Sequence, residues 1–372
     1  METLFLVLGA LVSLSILVLV HELGHFIVAK RCGVWVEQFG IGYPPRAFGK
    51  KIGETIYSIN WLPLGGFVRL HGETTSDGVT EPKRAFLNKS KSVRLAVSLA
   101  GVTANFIFAA VVFAIVGAVV GSLPKGIKVL EVAEGSPAQV VGIVSDDRIV
   151  EIDGVNLTYT EYLQPLLEEK KNREIELTVL RTIEGINGYH FLKLTPRINP
   201  PEGQGALGIV FTANEIVEPT LIQAPFAYVR YGIDKTYFLS VRILKGLGGI
   251  FKEASRGDVP QGVGGPLTVT AVLAEFVRFG LLPLMEFTAV ISVNLALVNL
   301  IPFPPLDGSR VLLVIVEALT GGKKLAPKIE LYMQTAGMAI LMGLVLLMTA
   351  TEIPKLIRAG SLTQFVENIL GV

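Results

Sequence analysis

The chain has few of the residues that stabilise secreted domains or cover the surface of soluble enzymes. Its single cysteine, Cys32, excludes an intramolecular disulfide framework, so any extracytoplasmic part must be held together by packing alone. The same scarcity excludes a zinc site made of several cysteines. Only 17% of residues are charged and 51% are hydrophobic, with a mean hydropathy of +0.55. This composition is wrong for a soluble globule and favours a membrane protein with several spans and one soluble insert.

An excess of charge of one sign is also lacking. The net charge is +1 and no dense basic tract occurs, which argues against a nucleic-acid partner. The N-terminus has no basic residue before its first apolar run and no small-residue cleavage site. We therefore expect a retained span there instead of a signal peptide.

Four apolar segments are long enough, or nearly so, to cross a bilayer. They cover residues 4–30, 95–120, 279–301 and 335–350. An amphipathic stretch at 226–251 is expected to lie at the membrane interface as a surface helix, and an amphipathic tail follows from 353 to 372. The sequence therefore predicts an α-helical polytopic membrane protein with about four transmembrane helices.

Between residues 124 and 200 the composition becomes that of a soluble domain. Strand patterns at 128–132, 174–181 and 190–196, with a helical stretch at 162–171, predict an inserted αβ module. The predicted division of the chain is residues 1–123, with two spans; 124–200, the module; 201–266, a linker with the amphipathic helix; and 267–372, with two further spans.

A β-region at about 52–71 is predicted in the polar segment after the first span. Its strands are Thr55–Trp61 and Phe67–Leu70, and the glycines and prolines at 40–45 indicate turns. The apolar stretch Pro63–Val68 favours a sheet that lies against or dips into the bilayer, because backbone groups at that depth must pair with each other. The alternative is an ordinary cytoplasmic loop.

The distribution of basic residues predicts the orientation. The N-terminal side of the first span has no lysine or arginine, whereas the segment between the first two spans is rich in both: Lys30, Arg31, Arg46, Lys50, Lys51, Arg69, Lys83, Arg84, Lys89, Lys91 and Arg94. The positive-inside rule then places the N-terminus, the 124–200 module and the C-terminus outside, and the 31–94 segment in the cytoplasm.

An HExxH motif, His21-Glu22-Leu23-Gly24-His25, lies at the end of the first apolar run. Residues four apart share a helix face, so His21 and His25 can bind one metal ion, and Glu22 can accept a proton from water without being a ligand. Ionisable groups at membrane depth are costly and usually functional. The alternative is a juxtamembrane polar cluster on a signal anchor.

Two histidines leave a catalytic zinc without its third protein ligand, and Asp307 is the best candidate. It follows an apolar run that ends in prolines, which keep the backbone out of a helix and favour a segment lining a protein cavity. A simple turn after a span is the alternative. His71 and His190 are expected to have ordinary surface roles.

Asn105 interrupts the second span with a polar side chain, which is expected to face protein instead of lipid. It either bonds a neighbouring helix or helps a peptide to bind. The sequence leaves both roles open.

These motifs together resemble the site-2 protease family of intramembrane zinc metalloproteases, specifically the bacterial RseP-type enzymes. The matching segments are Val20–Phe26 with Ala29 and Lys30, Pro63–Val68, and Asn299–Gly308, and residues 135–154 resemble part of a PDZ domain. One departure is Val102, because the family commonly has proline after the glycine that corresponds to Gly101.

The resemblance implies that His21, His25 and Asp307 bind Zn²⁺ and that Glu22 is the general base. It implies that Asn299 positions the substrate or its developing oxyanion, and that the 52–71 strands form a membrane-associated sheet beside the site. It also implies a single PDZ-like module, whose groove can bind an extended peptide; we expect the carboxylate-binding loop near Gly121–Ile127.

The predicted function is zinc-dependent cleavage of single-pass membrane proteins within their transmembrane segments, near the cytoplasmic face of a bacterial inner membrane. Anti-sigma factors and remnant signal peptides are examples of such substrates. Two alternatives are an inactive PDZ-bearing membrane scaffold and a zinc hydrolase acting on a non-peptide membrane substrate. Because an unwound helix needs backbone partners in lipid, we also expect Thr55–Trp61 or Phe67–Leu70 to pair with substrate as a β-strand.

Overall fold

A computed structural model describes most of the chain in two compact units. The described residues are 2–73, 79–121, 123–124, 127–153, 155–157, 163–183, 186–201, 203–212, 216–217, 219–220, 222–256, 264–321 and 327–370. The first unit comprises Met1–Val116 and Val229–Val372, and the second comprises Gly117–Tyr228.

Long helices dominate the first unit. They are α1 (Glu2–Arg31), α2 (Lys91–Val120), α5 (Ala224–Ser255), α6 (Pro266–Phe279), α7 (Leu281–Asn299), α8 (Asp307–Leu319), α9 (Pro327–Ala359) and α10 (Leu362–Leu370); the two helices numbered between α2 and α5, α3 (Pro137–Val140) and α4 (Leu163–Glu169), belong to the second unit. Among the described residues, four helices are long and apolar enough to span a membrane: Leu4–Arg31, Lys91–Val120, Leu281–Asn299 and Ile329–Ala359. The prediction of about four apolar spans is confirmed.

Close contact between α1 and α2 depends on small residues. A Cβ atom at Gly24 would lie 2.4 Å from the main-chain oxygen of Ala100, so only glycine permits this approach. Nearer the N-terminus of α1, Leu6 and Ala10 pack against Leu273 and Ala274 of α6. These contacts fix the face of α1 that carries both histidines.

The amphipathic helix predicted at 226–251 is α5. Tyr231, Leu239 and Ile243 pack against a buried cluster on α2 and α7 that includes Phe113 and Val293. Part of its apolar face is therefore covered by other helices, whereas the sequence predicted a helix lying in the interface.

Two long strands follow α1: β1 (Val36–Ile52) and β2 (Thr55–Leu70). Residues 38–41 of β1 pair with 56–59 and also with 66–69 of β2, while residues 46–52 of β1 pair with 55–60. Both strands fold back on themselves, and the sheet therefore has four strand segments, here called lanes, in the order 66–70, 36–41, 55–60, 46–52. The two outer pairs of lanes run antiparallel, and the central pair, 36–41 and 55–60, runs parallel. The segment at 55–60 is central, and the segment at 66–70 is an edge.

The turn predicted at 40–45 lies where β1 reverses direction, because residues 38–41 run parallel to 56–59 whereas residues 46–52 run antiparallel to 55–60. A Cβ at Gly40 would lie 2.5 Å from the Phe67 ring, and one at Gly42 would lie 2.4 Å from the Leu62 oxygen. Gly40 therefore permits close approach between neighbouring lanes, whereas Gly42, with a φ of +77°, also has the backbone conformation that the reversal requires. The side chains of residues 63 and 64 lie outside the described part of the structure.

The second unit is built on antiparallel strands with two short helices. Its elements are β3 (Leu123–Pro124), β4 (Ile127–Val132), α3 (Pro137–Val140), β5 (Arg148–Ile152), β6 (Val155–Asn156), α4 (Leu163–Glu169), β7 (Ile175–Ile183), β8 (Ile186–Leu194), β9 (Ile209–Thr212) and β10 (Ile216–Val217). The main sheet has the order β8-β7-β5-β4-β9, with β6 on β5. Ile127, Ile149 and Leu177 are fully buried in its core.

Two features set the limits of this unit. Strand β9 pairs with β4, so the predicted boundary at residue 200 falls inside the unit and before its edge strand. Strands β3 and β10 pair with each other, which brings the entry and the exit of the unit together.

Candidate metal centre

Two histidines and one aspartate meet where α1 and α8 approach each other. Asp307 Oδ2 lies 2.9 Å from His21 Nε2 and 3.0 Å from His25 Nε2, and the two Nε2 atoms are 3.2 Å apart. Both histidines are buried. Asp307 is thus brought to the two histidines from a position at least 282 residues away in the sequence, as the prediction of these three metal ligands requires.

The spacing of these three atoms fits a zinc ion. Tetrahedral ligands at bond lengths of about 2.0–2.1 Å are about 3.3 Å from one another, and the observed separations are close to that value. Two imidazoles and a carboxylate are a ligand set that catalytic zinc sites use, with one coordination position left for water or substrate.

Gly101 makes room for this arrangement. A Cβ at that position would lie 2.4 Å from His25 Nε2 and 2.6 Å from His21 Nε2. Any side chain on this turn of α2 would occupy the space beside the two ligand nitrogens. From the sequence, Gly101 was noticed only through the family resemblance. Its role in leaving space for the two histidines depends on how α1 and α2 cross, which the sequence does not reveal.

A second contact sets the orientation of His25. Its Nδ1 lies 2.7 Å from the main-chain oxygen of Val97, which can only accept a hydrogen bond. The proton of a neutral His25 ring therefore resides on Nδ1, which leaves the Nε2 lone pair for a metal.

Asp307 is delivered by a non-helical loop between α7 and α8. A Cβ at Gly308 would lie 2.2 Å from the Leu300 oxygen, and one at Gly337 of α9 would lie 2.1 Å from the Pro304 oxygen. The loop is thus packed closely from two sides, and Asp307 begins α8 directly after it.

A cavity of about 330 Å³ opens beside the three ligands. Its lining includes Glu22, Asn299 and Tyr43, together with residues 66–68 of the β2 edge. A Cβ at Gly66 would lie 3.7 Å from Glu22 Cγ, so this edge reaches the predicted base. The predicted base, the predicted ligands and Asn299 therefore share one cavity.

Asn105 does not line this cavity. It is fully buried on α2, with its side-chain nitrogen 3.3 Å from His21 Nδ1, on the side of the ring away from Asp307. The substrate-positioning role predicted for it has no support in this placement.

The expectation of a surface role for His71 is wrong. The ring is buried, lies 4.5 Å from the Trp35 ring between centroids, and has its Nδ1 2.8 Å from Glu37 Oε1. The Glu37 carboxylate offsets the cost of burying the His71 ring. This contact joins the start of β1 to the residue that follows β2, and the sequence does not reveal it. His190, in β8, is half-buried in the second unit.

Comparison with known proteins gives the same assignment over nearly the whole chain. The model of peptidase family M50 matches residues 9–344. A Clostridium perfringens protein, provisionally named a zinc metalloprotease, is 34% identical over 93% of this chain and 98% of its own length. This chain belongs to peptidase family M50, the site-2 proteases. Two further relatives are the membrane metalloprotease ARASP of Arabidopsis thaliana chloroplasts, 32% identical over 93% of this chain and 78% of its own length, and the zinc metalloprotease RasP of Geobacillus kaustophilus, 26% identical over 95% and 99%.

Membership of family M50 makes the chain a membrane metalloprotease, and the names of its relatives imply zinc as the metal. The prediction of a site-2 metalloprotease is therefore confirmed.

An ion pair that the sequence did not suggest closes one side of the cavity of this M50 member. Arg310 on α8 lies 2.5 Å from Glu73, whose other oxygen accepts a hydrogen bond from the Leu70 backbone at the end of β2. Glu73 raises the pKa of the Arg310 guanidinium. The pair joins the helix that carries Asp307 to the strand that reaches Glu22. Its only sequence signal is the position of Arg310 three residues after Asp307.

A second charged cluster fastens the turn between β1 and β2 to the end of α1. Glu54 accepts hydrogen bonds from Arg84 and Lys30, and these lower the pKa of its carboxyl group to about 2. The Trp35 indole also donates to the Glu54 main-chain oxygen at 3.2 Å. The sheet is therefore anchored at its turn and not only along α1.

Proposed function

We propose that this chain is an intramembrane endopeptidase that cleaves single-pass membrane proteins within their transmembrane segments. The observation that carries the proposal is the triangle of His21, His25 and Asp307, whose two histidines lie on a helix long enough to span a membrane, beside Glu22 and an open strand edge. Water needed for hydrolysis can reach this depth through the cavity.

When bound, zinc supplies a Lewis acid that lowers the pKa of water and polarises a carbonyl. His21, His25 and Asp307 hold the ion. The Glu22 carboxylate accepts a proton from the attacking water and returns it to the leaving amide nitrogen. The Asn299 amide, on the cavity wall, donates a hydrogen bond to the substrate carbonyl as charge develops there.

The orientation of the chain follows from its charges. The basic residues between α1 and α2 support a cytoplasmic position for that segment in a bacterial cell, with the N-terminus outside. The HExxH motif, in the last third of α1, then lies near the cytoplasmic face of the inner membrane. Cleavage is therefore expected near the cytoplasmic end of a substrate helix.

The β2 edge at 66–70 supplies backbone partners to an unwound substrate. A peptide bond in a helix has its carbonyl bonded and shielded, and unwinding in lipid leaves several backbone groups unpaired. Addition of the substrate to this edge as a further strand pairs those groups beside Glu22. The central lane at 55–60 already has neighbours on both sides, which leaves 66–70 as the edge that meets the cavity.

The second unit acts as a PDZ-like module. Its open strand is β9, and a cavity of about 240 Å³ lies between α4 and β9, lined by residues that include Leu167, Leu207 and Phe211. An extended peptide fits such a groove by strand addition. The expected carboxylate-binding loop near Gly121–Ile127 precedes β4, which has partners on both sides, and Ser122, Lys125 and Gly126 lie outside the described residues.

A direct test uses single-span helices reconstituted with the protein in proteoliposomes, with product termini mapped by mass spectrometry. We expect cuts within the span near its cytoplasmic end, absent from Glu22→Gln at equal zinc content. An inactive scaffold would give no cuts with either protein. A hydrolase acting on a non-peptide substrate would likewise leave every helix intact while binding zinc.

A further inference from the structure

Asn105 has an unusual environment for a polar side chain in the middle of an apolar helix. It is fully buried, and its side-chain oxygen has no partner among the described residues. Its amide nitrogen lies 3.3 Å from His21 Nδ1. A buried amide oxygen without a hydrogen bond is costly, and such cases call for an explanation.

The chemistry of His21 supplies one, on the premise that the proposed zinc site is correct. His21 Nε2 faces Asp307 and His25, so this nitrogen must keep its lone pair to bind a metal. The ring proton then resides on Nδ1, and an N–H at that position needs an acceptor. The amide nitrogen of Asn105 cannot be that acceptor.

Exchange of the amide oxygen and nitrogen gives the oxygen a hydrogen-bond donor and gives the His21 ring proton an acceptor. The two atoms are nearly equivalent in shape, and their assignment follows from the hydrogen-bond network. We propose that Asn105 Oδ1 accepts a hydrogen bond from His21 Nδ1–H and so holds His21 in the tautomer that binds zinc. Asn105 is thereby a positioning residue, and it does for His21 what the Val97 carbonyl does for His25.

The two roles predicted from the sequence account for the side chain less well. A substrate contact conflicts with its position outside the cavity. A contact to a neighbouring helix exists, since Ser292 Oγ on α7 donates to the Asn105 main-chain oxygen at 3.0 Å. Any residue at position 105 offers that oxygen, so helix packing does not require an amide side chain.

The test measures zinc affinity, by competition with a chelator, in the purified full-length protein in detergent. Asn105→Leu keeps the volume but removes the acceptor, and loss of such a partner typically weakens metal binding about 10- to 100-fold. Asn105→Asp keeps an acceptor and should bind zinc within about threefold of the wild type, since carboxylates also fill this role. Ser292→Ala, which removes the α2–α7 hydrogen bond but not the His21 contact, is the matched control and should leave affinity unchanged.

A second readout is the visible spectrum of the cobalt-substituted protein, which reports ligand geometry. We expect Asn105→Leu to change the spectrum and Asn105→Asp to retain it. If Asn105→Leu does not fold, Asn105→Ala replaces it in the same comparison. Wild-type affinity in Asn105→Leu, or equal losses in the Asp and Leu variants, would overturn the inference while leaving the zinc site intact. A wild-type protein that binds no zinc would instead overturn the proposed function.

Discussion

At the scale of single residues, the metal centre depends on three side chains with no fourth protein ligand among the described residues. We expect His21→Ala, His25→Ala and Asp307→Ala each to lose most bound zinc, because two remaining ligands hold the ion poorly. Glu22→Gln should keep its zinc and lose cleavage. Zinc content by mass spectrometry, measured beside proteolysis, separates the two classes. Full metal content in Asp307→Ala would show that the third ligand lies elsewhere.

Gly101 gives a prediction that depends only on the steric clash a side chain would cause at this position. Gly101→Ala should lower zinc content strongly, because its Cβ would lie within 2.6 Å of both ligand nitrogens and would displace the imidazoles. Gly248→Ala, on α5, adds a methyl group with no heavy atom within 4 Å and is the matched control. Normal zinc content in folded Gly101→Ala protein would contradict the packing of α1 against α2 at this point.

The HExxH motif could be read from the sequence because its geometry is local: residues four apart on a helix share a face. Asp307 could be inferred because a proline-rich end of an apolar run is unusual. Gly101, Glu73 and the buried contact of Asn105 with His21 could not, since each depends on how separate helices and strands approach each other.

At the scale of elements, the edge of β2 carries the proposal about substrate binding. Among positions 67–69, proline should reduce cleavage where the replaced residue's N–H faces the open edge of the sheet. Zinc content should not change, because proline only removes a hydrogen-bond donor to the substrate strand. Substrates with helix-breaking residues near the cut should be affected least. At 55–60 the lane is paired on both sides, so proline there should destabilise the sheet itself.

The readouts for this scan are cleavage rate, zinc content and thermal stability of each variant. Unchanged cleavage by every folded variant at 67–69 would remove the strand edge from the mechanism.

The turn between β1 and β2 should carry a pH-dependent contribution to stability. The pKa of Glu54 is lowered to about 2 by Arg84 and Lys30, so its stabilisation is fully present above its unfolded pKa, near 4.5, and is lost as the pH falls toward 2. The effect should be small, because Glu54 and its partners are each about a third exposed.

The measurement is the melting temperature of Glu54→Gln against the wild type in detergent. The variant should melt lower at pH 7, and the difference should shrink between pH 4.5 and pH 2. Glu134→Gln, which alters an exposed carboxyl group in the second unit, is the control. A difference that does not change with pH would assign the effect of Glu54 to packing instead of charge.

At the scale of the whole molecule, the second unit is the part that can be removed. Strands β3 and β10 bring its entry and exit together, so residues 123–217 can be replaced by a short flexible linker. If the module excludes substrates with bulky external domains, the shortened protein should cleave untrimmed substrates that the full chain rejects. If it binds peptides, cleavage of trimmed substrates should fall instead. Unchanged selectivity and rate would count against both roles.

The order of spans and the existence of an insert followed from hydropathy, because both are properties of continuous segments. The limits of the insert did not, since β9 joins the sheet through pairing with β4 across more than 70 residues of chain. The four-lane arrangement of β1 and β2 was equally hidden, because one strand pairs with its neighbour twice.

The central claim is that zinc held by His21, His25 and Asp307, with Glu22 as base, hydrolyses a peptide bond inside a transmembrane helix. The most direct measurement maps the cut in a single-span helix incubated in proteoliposomes with wild-type protein or with Glu22→Gln, after both are shown to contain equal zinc. The account predicts one cluster of cuts in the cytoplasmic third of the span for the wild type, abolished by chelation, restored by zinc, and absent from the variant. Cuts confined to the loops outside the span, or equal cleavage by Glu22→Gln, would contradict it.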